Sequence, residues 1–329
     1  MAKFGTVFCE EFVRVEYRDG AWQQPLMQPI GPIPMHPAAH VFHYASTCFE
    51  GFKAYRRADG AAQIFRLRDH VARMQKSAAS LRLPVPLAAM LSQMVIDLVS
   101  RQASKIPEPP GSLYLRPTLI GTEKNIGAAA APSTEALLYV IASPVGDYFA
   151  GGAKALKLLV DDQRARTTEQ LGSTKTGGNY AAALGPTLDA KAAYGVDQVL
   201  FCPHGDVQET GAANFLLLSD KEVITKPLDS SFLHGITRDS ILRLAAELGY
   251  RVSERNITVS ELLELVATHE AVLSGTAATL SPVGCLVHNG REIRVRDGNP
   301  GPNAEKLRAA LQAIQTGRAP DTHGWLTAV

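Results

Sequence analysis

Charge of one sign, long apolar runs and paired cysteines are all missing from this chain of 329 residues. Lys and Arg number 33 against 32 Asp and Glu, a net charge of +1, so no single-sign field is expected to gather nucleic acid or an anionic membrane surface. No stretch approaches the apolar length that spans a bilayer. The N-terminal segment MAKFGTVFCEEF has no apolar signal core and turns acidic early. Cys9, Cys48, Cys202 and Cys285 lie far apart and form no C-x-x-C pair. That spacing argues against a metal site or a disulfide framework and makes a reducing cytoplasm the simplest home. No G-x-G-x-x-G follows a strand-like run, so a Rossmann cofactor site has no support. Internal repeats and low-complexity tracts are absent too.

What remains is an ordinary globular composition, 46% hydrophobic and 20% charged, in a length that suggests two domains. HVARMQKSAASLRL (70–83) sets Val71, Met74, Ala78 and Leu81 at helical spacing and is stopped by Pro84. MLSQMVIDLVSRQ reads as a second amphipathic helix. LYLRPTLIG and ALLYVIASPV (136–145) read as strands, and SPVGDYFAGG as the connector between a first domain, 1–143, and a second, 154–329, with 144–153 as the joint. Beyond it LKLLV, QVLFC, NFLLL and EAVLSG read as short strands, and NYAAALGPTLDAKAAYG and DSILRLAAELG as helices. Strands this short, with turn residues between them, predict an α+β fold with mixed or antiparallel sheet in each half and helices outside.

One lysine stands out. STKTGGNY (173–180) holds Lys175 among small residues. Lys175-Thr176 supplies the last two letters of a P-loop, but the required glycines are replaced by Glu169 and Thr174, so the backbone cannot curl around a phosphate. Two readings stay open on these residues alone: a solvated loop lysine, or an amine that forms a Schiff base with a carbonyl compound. The second needs an aldehyde cofactor, a phosphate cradle and a carboxylate for a ring nitrogen. HGITRDSILRLAAELG offers a helix start in which Thr237 is a candidate N-cap after Gly235, and a plain cap is an equal reading. SGTAAT (274–279) is a second turn of small residues with a hydroxyl at Thr276. Glu209 is the best-placed carboxylate, and Arg73 would suit a phosphate, though an arginine on such a helix more often faces solvent. His43 and His70 are not spaced as metal ligands, and no metal is expected.

The order of these pieces resembles the class IV pyridoxal-phosphate aminotransferases, and among them the branched-chain amino acid aminotransferases. The matching stretches are HVFHYASTCFEGFKAY (40–55), RDHVARMQKSA (68–78), YLRPTLIGTEKNIG (114–127), SPVGDYF (143–149), KTGGNY (175–180), ETGAANFL (209–216), LHGITRDSI (233–241), LSGTAATLSPV (273–283) and TGRAPDTHGWL (316–326). They cover nearly the whole chain in the family's order. The resemblance implies the two-domain class IV fold, with pyridoxal 5'-phosphate on Lys175, which also serves as proton shuttle. It further implies that Glu209 pairs the ring nitrogen and Tyr180 the phenolic oxygen, while Arg73, Ile236, Thr237 and Thr276 hold the phosphate. Phe4, Tyr44, Phe49, Lys53, Tyr114, Arg116, Thr276 and Ala277 match the substrate pocket, Tyr148 the interdomain connector, and Ile126 and Ala128 a loop that reaches the partner's pocket in a homodimer.

The implied reaction is reversible ping-pong transfer of the amino group of leucine, isoleucine or valine to 2-oxoglutarate, with small molecules as the only other partners. D-Amino acid aminotransferases and aminodeoxychorismate lyase share the fold and stand as alternatives. Two departures are visible. The C-x-x-C pair of mammalian members is replaced by Ala278 and Ser281, which excludes a thiol switch there, and Ala128 is smaller than the residue usual at its position.

Overall fold

The computed structural model describes residues 4–146 and 154–329. The chain divides into two compact units. The first holds Met1–Asp147, Thr174–Gly177 and Ala313–Val329, and the second Tyr148–Ser173 and Gly178–Gln312. The division is discontinuous, unlike the linear 1–143 and 154–329 split that the connector's composition suggests. Strand pairing gives the reason. The C-terminal residues Leu326–Ala328 add a strand beside Ala62–Phe65, and Thr176 bridges Cys48.

The first unit contains β1 (Glu11–Arg18), β2 (Ala21–Trp22), β3 (Leu26–Pro29), α1 (His40–Tyr44), β4 (Thr47–Phe49), β5 (Phe52–Arg56), β6 (Ala62–Phe65), α2 (Leu67–Ser80), α3 (Ala88–Arg101), β7 (Ser112–Gly121) and β8 (Ala136–Val145). Its sheet runs β18-β6-β5-β7-β8-β1-β2, where β18 is Leu326–Ala328, with β3 on β1 and β4 on β7. Every pairing in it is antiparallel. The core joins the alternating inward residues of β7 and β8, such as Leu113, Leu115, Leu138 and Val140, to the apolar stripes of α2 (Val71, Met74, Ala78) and α3 (Leu91, Val95, Leu98). Helix α2 stops before Pro84 is reached: Arg82 takes φ +55 and Leu83 donates back to the Ala78 carbonyl at 2.9 Å.

The second unit holds β9 (Leu156–Asp161), all but the first residue of α4 (Gly177–Tyr194), β10 (Gln198–Phe201), β11 (Glu209–Thr210), β12 (Asn214–Leu218), β13 (Glu222–Thr225), α5 (Ile236–Glu247), β14 (Arg251–Glu254), α6 (Val259–Leu265), β15 (Glu270–Gly275), β16 (Thr279–His288), β17 (Arg291–Arg294) and α7 (Pro302–Gln315) as far as Gln312. Its strands run β11-β10-β9-β16-β15-β12-β13-β14, and the further β11–β12 pairing closes six of them into a ring. Three pairings are parallel, β9–β10, β9–β16 and β13–β14, so this sheet is mixed. Leu158, Leu200, Phe215, Leu217, Leu273 and Leu286 fill it. Among the described residues, no helix is long and apolar enough to cross a membrane, and no group of three or more His, Cys, Asp or Glu is placed to hold a metal ion.

Candidate active site

Lys175 has its backbone fixed on two sides within the first unit. Its N–H donates to Ser77 Oγ on α2 at 3.1 Å, and its carbonyl accepts from the Phe49 N–H on β4 at 3.0 Å. The next residue, Thr176, donates its hydroxyl to the Thr47 carbonyl at 2.7 Å. Small neighbours allow this short segment to lie against β4. The half-buried side chain carries its Nζ to 5.0 Å from the centre of the Phe49 ring, where the π face attracts a cation.

The same ring is met by Arg116, whose guanidinium carbon lies 4.6 Å from the Phe49 centre and 5.4 Å from that of Tyr114. Arg116 Nη2 donates to Tyr114 Oη at 2.9 Å, and Phe4 stands edge-on to Tyr114 at 5.0 Å. Lys53 on β5 pairs in register with Tyr114 on β7. A Cβ at Gly51 would lie 2.0 Å from Tyr114 Oη, so any larger residue there would displace the Tyr114 side chain. Arg116 Nε is buried with no hydrogen-bond partner among the described residues, a desolvated donor that calls for an acceptor. Tyr44 donates to the Ile126 carbonyl. Ile126 itself is 66% exposed, whereas Ala128 is buried in its own loop.

Arg73 is not the solvent-facing arginine its helix position also allowed. Glu50, fully buried, receives Arg73 Nε at 2.6 Å and Nη2 at 2.8 Å, and lies 2.7 Å from His70 Nδ1. Burial alone would push the Glu50 carboxyl up, but the Arg73 guanidinium, by charge and hydrogen bond, and then the His70 ring, hold it well below the usual carboxylate range. His70, stacked on Phe52 at 4.6 Å, is shifted down, chiefly by burial, with Glu50 opposing and Arg73 and Lys175 assisting.

In the second unit Glu209 lies on β11, buried and surrounded by donors. Arg166 Nε stands 2.8 Å from its Oε1 as an ion pair outside hydrogen-bond geometry, the Leu233 N–H donates to Oε1 at 2.9 Å, and Asn214 Nδ2 donates to Oε2 at 3.1 Å. Asn214 Nδ2 also reaches the Leu233 carbonyl at 2.8 Å. Its Oδ1 occupies the space a side chain at Gly235 would need, 1.9 Å from where a Cβ would stand. Tyr180 is half-buried in the first turn of α4. Its neighbour Asn179 anchors that turn, accepting from Thr167 Oγ1 at 2.6 Å and donating to the Leu171 carbonyl at 2.7 Å.

The expected Thr237 cap is corrected. Helix α5 starts two residues earlier than that cap implies, with Gly235 as N-cap and no side-chain cap bond. Ile236 and Thr237 therefore occupy the first two helical positions, where amides lack an intrahelical acceptor. Thr276 and Ala277 form the β15–β16 turn, next to the buried Ser274 hydroxyl, which has no hydrogen-bond partner among the described residues. Tyr148 lies outside the described residues. Glu50, Arg166 and Asn214 are not singled out by sequence reasoning. Only Glu50 leaves a trace there, as a lone acid inside the apolar TCFEGF.

The geometry gives an amine over an aromatic ring that Arg116 also meets in one unit, and a buried, hydrogen-bonded carboxylate with an uncapped helix start in the other. Residues 47–284 match the family Amino-transferase class IV, and the chain belongs to it. A probable branched-chain-amino-acid aminotransferase of Streptomyces coelicolor is 37% identical over 333 residues, covering 98% of this chain and 91% of its own. The branched-chain-amino-acid aminotransferase of Mycobacterium tuberculosis H37Rv is 36% identical over 337 residues, again covering 98% and 91%. Among solved structures, a T.th. branched-chain amino acid aminotransferase with pyridoxamine 5'-phosphate superposes with a TM-score of 0.79 at 30% identity, covering 95% of this chain and 97% of that one. The same T.th. enzyme is also known with N-(5'-phosphopyridoxyl)-L-glutamate and with 4-methylvaleric acid.

Proposed function

We propose that this protein is a branched-chain L-amino acid aminotransferase that uses pyridoxal 5'-phosphate and exchanges amino groups with the 2-oxoglutarate/glutamate pair. The observation that carries the reading is Lys175, pinned through its own backbone by Ser77 and Phe49 with its amine over an aromatic ring, in a chain similar along 98% of its length to enzymes of that name.

The residues fit the cofactor. Glu209 supplies a buried anion for a protonated ring nitrogen, and Tyr180 a hydroxyl for the phenolic oxygen. The uncapped amides of Ile236 and Thr237, the hydroxyls of Thr237 and Thr276, and Arg73 suit a phosphate. When bound, pyridoxal phosphate supplies the aldehyde carbon and the electron sink. The chain does the rest. Lys175 Nζ takes the proton from Cα of the amino donor and, in the second half of the exchange, gives one to Cα of the new amino acid. The Thr276–Ala277 turn offers amides to the α-carboxylate. Phe4, Tyr44, Phe49 and Tyr114 give a branched side chain an apolar wall that excludes water. Arg116, with Lys53 near it, accepts the distal carboxylate of glutamate, a role supported by its buried Nε, which has no hydrogen-bond partner among the described residues.

We assign a homodimer as the working assembly, because Phe42 and Ile126 stand 61% and 66% exposed on the single chain beside the segment that carries Tyr44. The cysteine spacing supports a cytoplasmic location. L-Leucine, L-isoleucine and L-valine with 2-oxoglutarate are expected to turn over with parallel double-reciprocal plots, while D-alanine donates poorly. Brisk D-alanine turnover beside inert L-leucine would replace this reading with a D-amino acid aminotransferase, and pyruvate release from aminodeoxychorismate with a lyase.

A further inference from the structure

We infer that Glu50 is a positioning residue for cofactor binding: it fixes the guanidinium plane of Arg73, and His70 in turn fixes Glu50. The inference rests on the reading above in one respect, that Arg73 holds the phosphate. An arginine on a helix ordinarily keeps its guanidinium mobile at the end of a long side chain, and ordering it costs rotamer entropy when an anion binds. Here the cost is met before any anion arrives. Glu50 grips two adjacent N–H groups in fork geometry, Nε at 2.6 Å and Nη2 at 2.8 Å, which sets the plane and hence the direction of the other N–H bonds. The carboxylate is itself held. It is wholly buried, it lies 2.7 Å from His70 Nδ1, and its own backbone N–H donates to the Pro117 carbonyl on β7 at 2.9 Å. His70 is kept in place by its stack on Phe52, with rings 4.6 Å apart and 24° from parallel. With the proton on Nδ1, the neutral ring is a donor to Glu50 and adds no charge.

The arrangement makes a specific claim about charge. Glu50 cancels the charge of Arg73, so the anchor contributes direction rather than net field. If field were what mattered, removing the carboxylate charge would tighten phosphate binding. If direction matters, removing it loosens binding.

The test compares pyridoxal phosphate with pyridoxal, which lacks the phosphate, as ligands of the full chain stripped of cofactor. Their ratio of dissociation constants isolates the phosphate contribution. For Glu50→Gln the ratio should shrink by about ten- to a hundredfold, the loss of a charge-assisted hydrogen bond, with pyridoxal affinity unchanged. Arg73→Ala should shrink it at least as much, and Glu50→Gln combined with Arg73→Ala should add nothing, because the two act as one unit. Glu50→Asp, which keeps the charge on a shorter arm, covers the case in which Glu50→Gln fails to fold, and should lie between. An Arg73→Ala variant that keeps the full phosphate preference overturns the reading of Arg73 itself. Full loss in Arg73→Ala with an undiminished or enlarged ratio in Glu50→Gln and Glu50→Asp leaves Arg73 in place and overturns the role of Glu50. Equal weakening of both ligands in the Glu50 variants also overturns it, as that is the mark of a merely structural residue.

Discussion

Replacing Gly235 by Ala would put a methyl carbon 1.9 Å from Asn214 Oδ1 and 3.2 Å from its Cγ. Backbone strain is not the problem, since Gly235 has φ −71, open to any residue. The space is the problem. Asn214 cannot yield freely, because its Nδ2 is tied to Glu209 Oε2 at 3.1 Å and to the Leu233 carbonyl at 2.8 Å, and the residue is buried. Two responses are available. Asn214 rotates away, which forfeits a hydrogen bond to a charged acceptor, about 1.5–3 kcal/mol, and a neutral one of about 1 kcal/mol. Otherwise the start of α5 moves, an overpacking cost of about 1–3 kcal/mol. Either way Gly235→Ala is expected to cost ~2–3 kcal/mol, more than the loss of glycine from an N-cap alone, which is under about 1 kcal/mol. At about 2–4 °C per kcal/mol for a unit of this size, the melting temperature should drop by several degrees. Cofactor affinity should fall by roughly tenfold, since both responses disturb either the donors of Glu209 or the amides of Ile236 and Thr237. Thermal unfolding and an absorbance titration with pyridoxal phosphate measure the two effects. Asn214→Ala opens the space, so the double variant should cost less than the two singles added. A Gly235→Ala protein with unchanged melting and affinity would refute the packing argument.

Arg116→Ala should lower kcat/KM for glutamate about ten- to a hundredfold more than for leucine, because only the acidic substrate needs the cation; equal losses would make Arg116 a support for Phe49 and Tyr114 alone. Stability should decline as pH falls. His70 is depressed in the fold, so below its unfolded value of about 6.5 the unfolded chain takes up a proton that the native ring refuses, and Glu50 adds the same effect below about 4.3. Each group contributes a slope of at most about 1.4 kcal/mol per pH unit, and His70→Phe should flatten the upper part of a urea-midpoint profile taken between about pH 7 and 5. Mild peroxide should cause no dithiol-reversible loss of activity, since burial pushes the Cys9 thiol up to about 11 and Cys48 to about 12, raises Cys202 and Cys285 as well, and leaves little thiolate to react; a reversible loss would point to one of these four.

How much the sequence discloses varies with the range of the interaction. Helices α2 and α3 and strands β7 and β8 are legible because their apolar periodicity is local and strong. Lys175 is legible only through the order of the motifs along the chain, since its immediate neighbours fit a solvated loop lysine as well. The start of α5 is not. A hydroxyl ahead of an apolar stripe looks like a cap, and only the fold shows that Asn214 fills the space beside Gly235 and leaves it as the N-cap. The grip of Glu50 on Arg73 is invisible in sequence, because it needs the turn between β4 and β5 to be laid against α2. The same holds for Arg166 with Glu209, and for the return of the C-terminal strand to β6, where Trp325 packs edge-on to Phe65 at 5.7 Å. These are tertiary contacts for which the local sequence carries no periodic signal.

The central claim, that the amine of Lys175 carries the cofactor, is tested most directly by borohydride reduction of the protein as isolated, followed by peptide mapping. The phosphopyridoxyl mass should appear on the peptide that contains Lys175 and on no other, and Lys175→Ala should show none. Label on Lys191, or on any lysine other than Lys175, would contradict it.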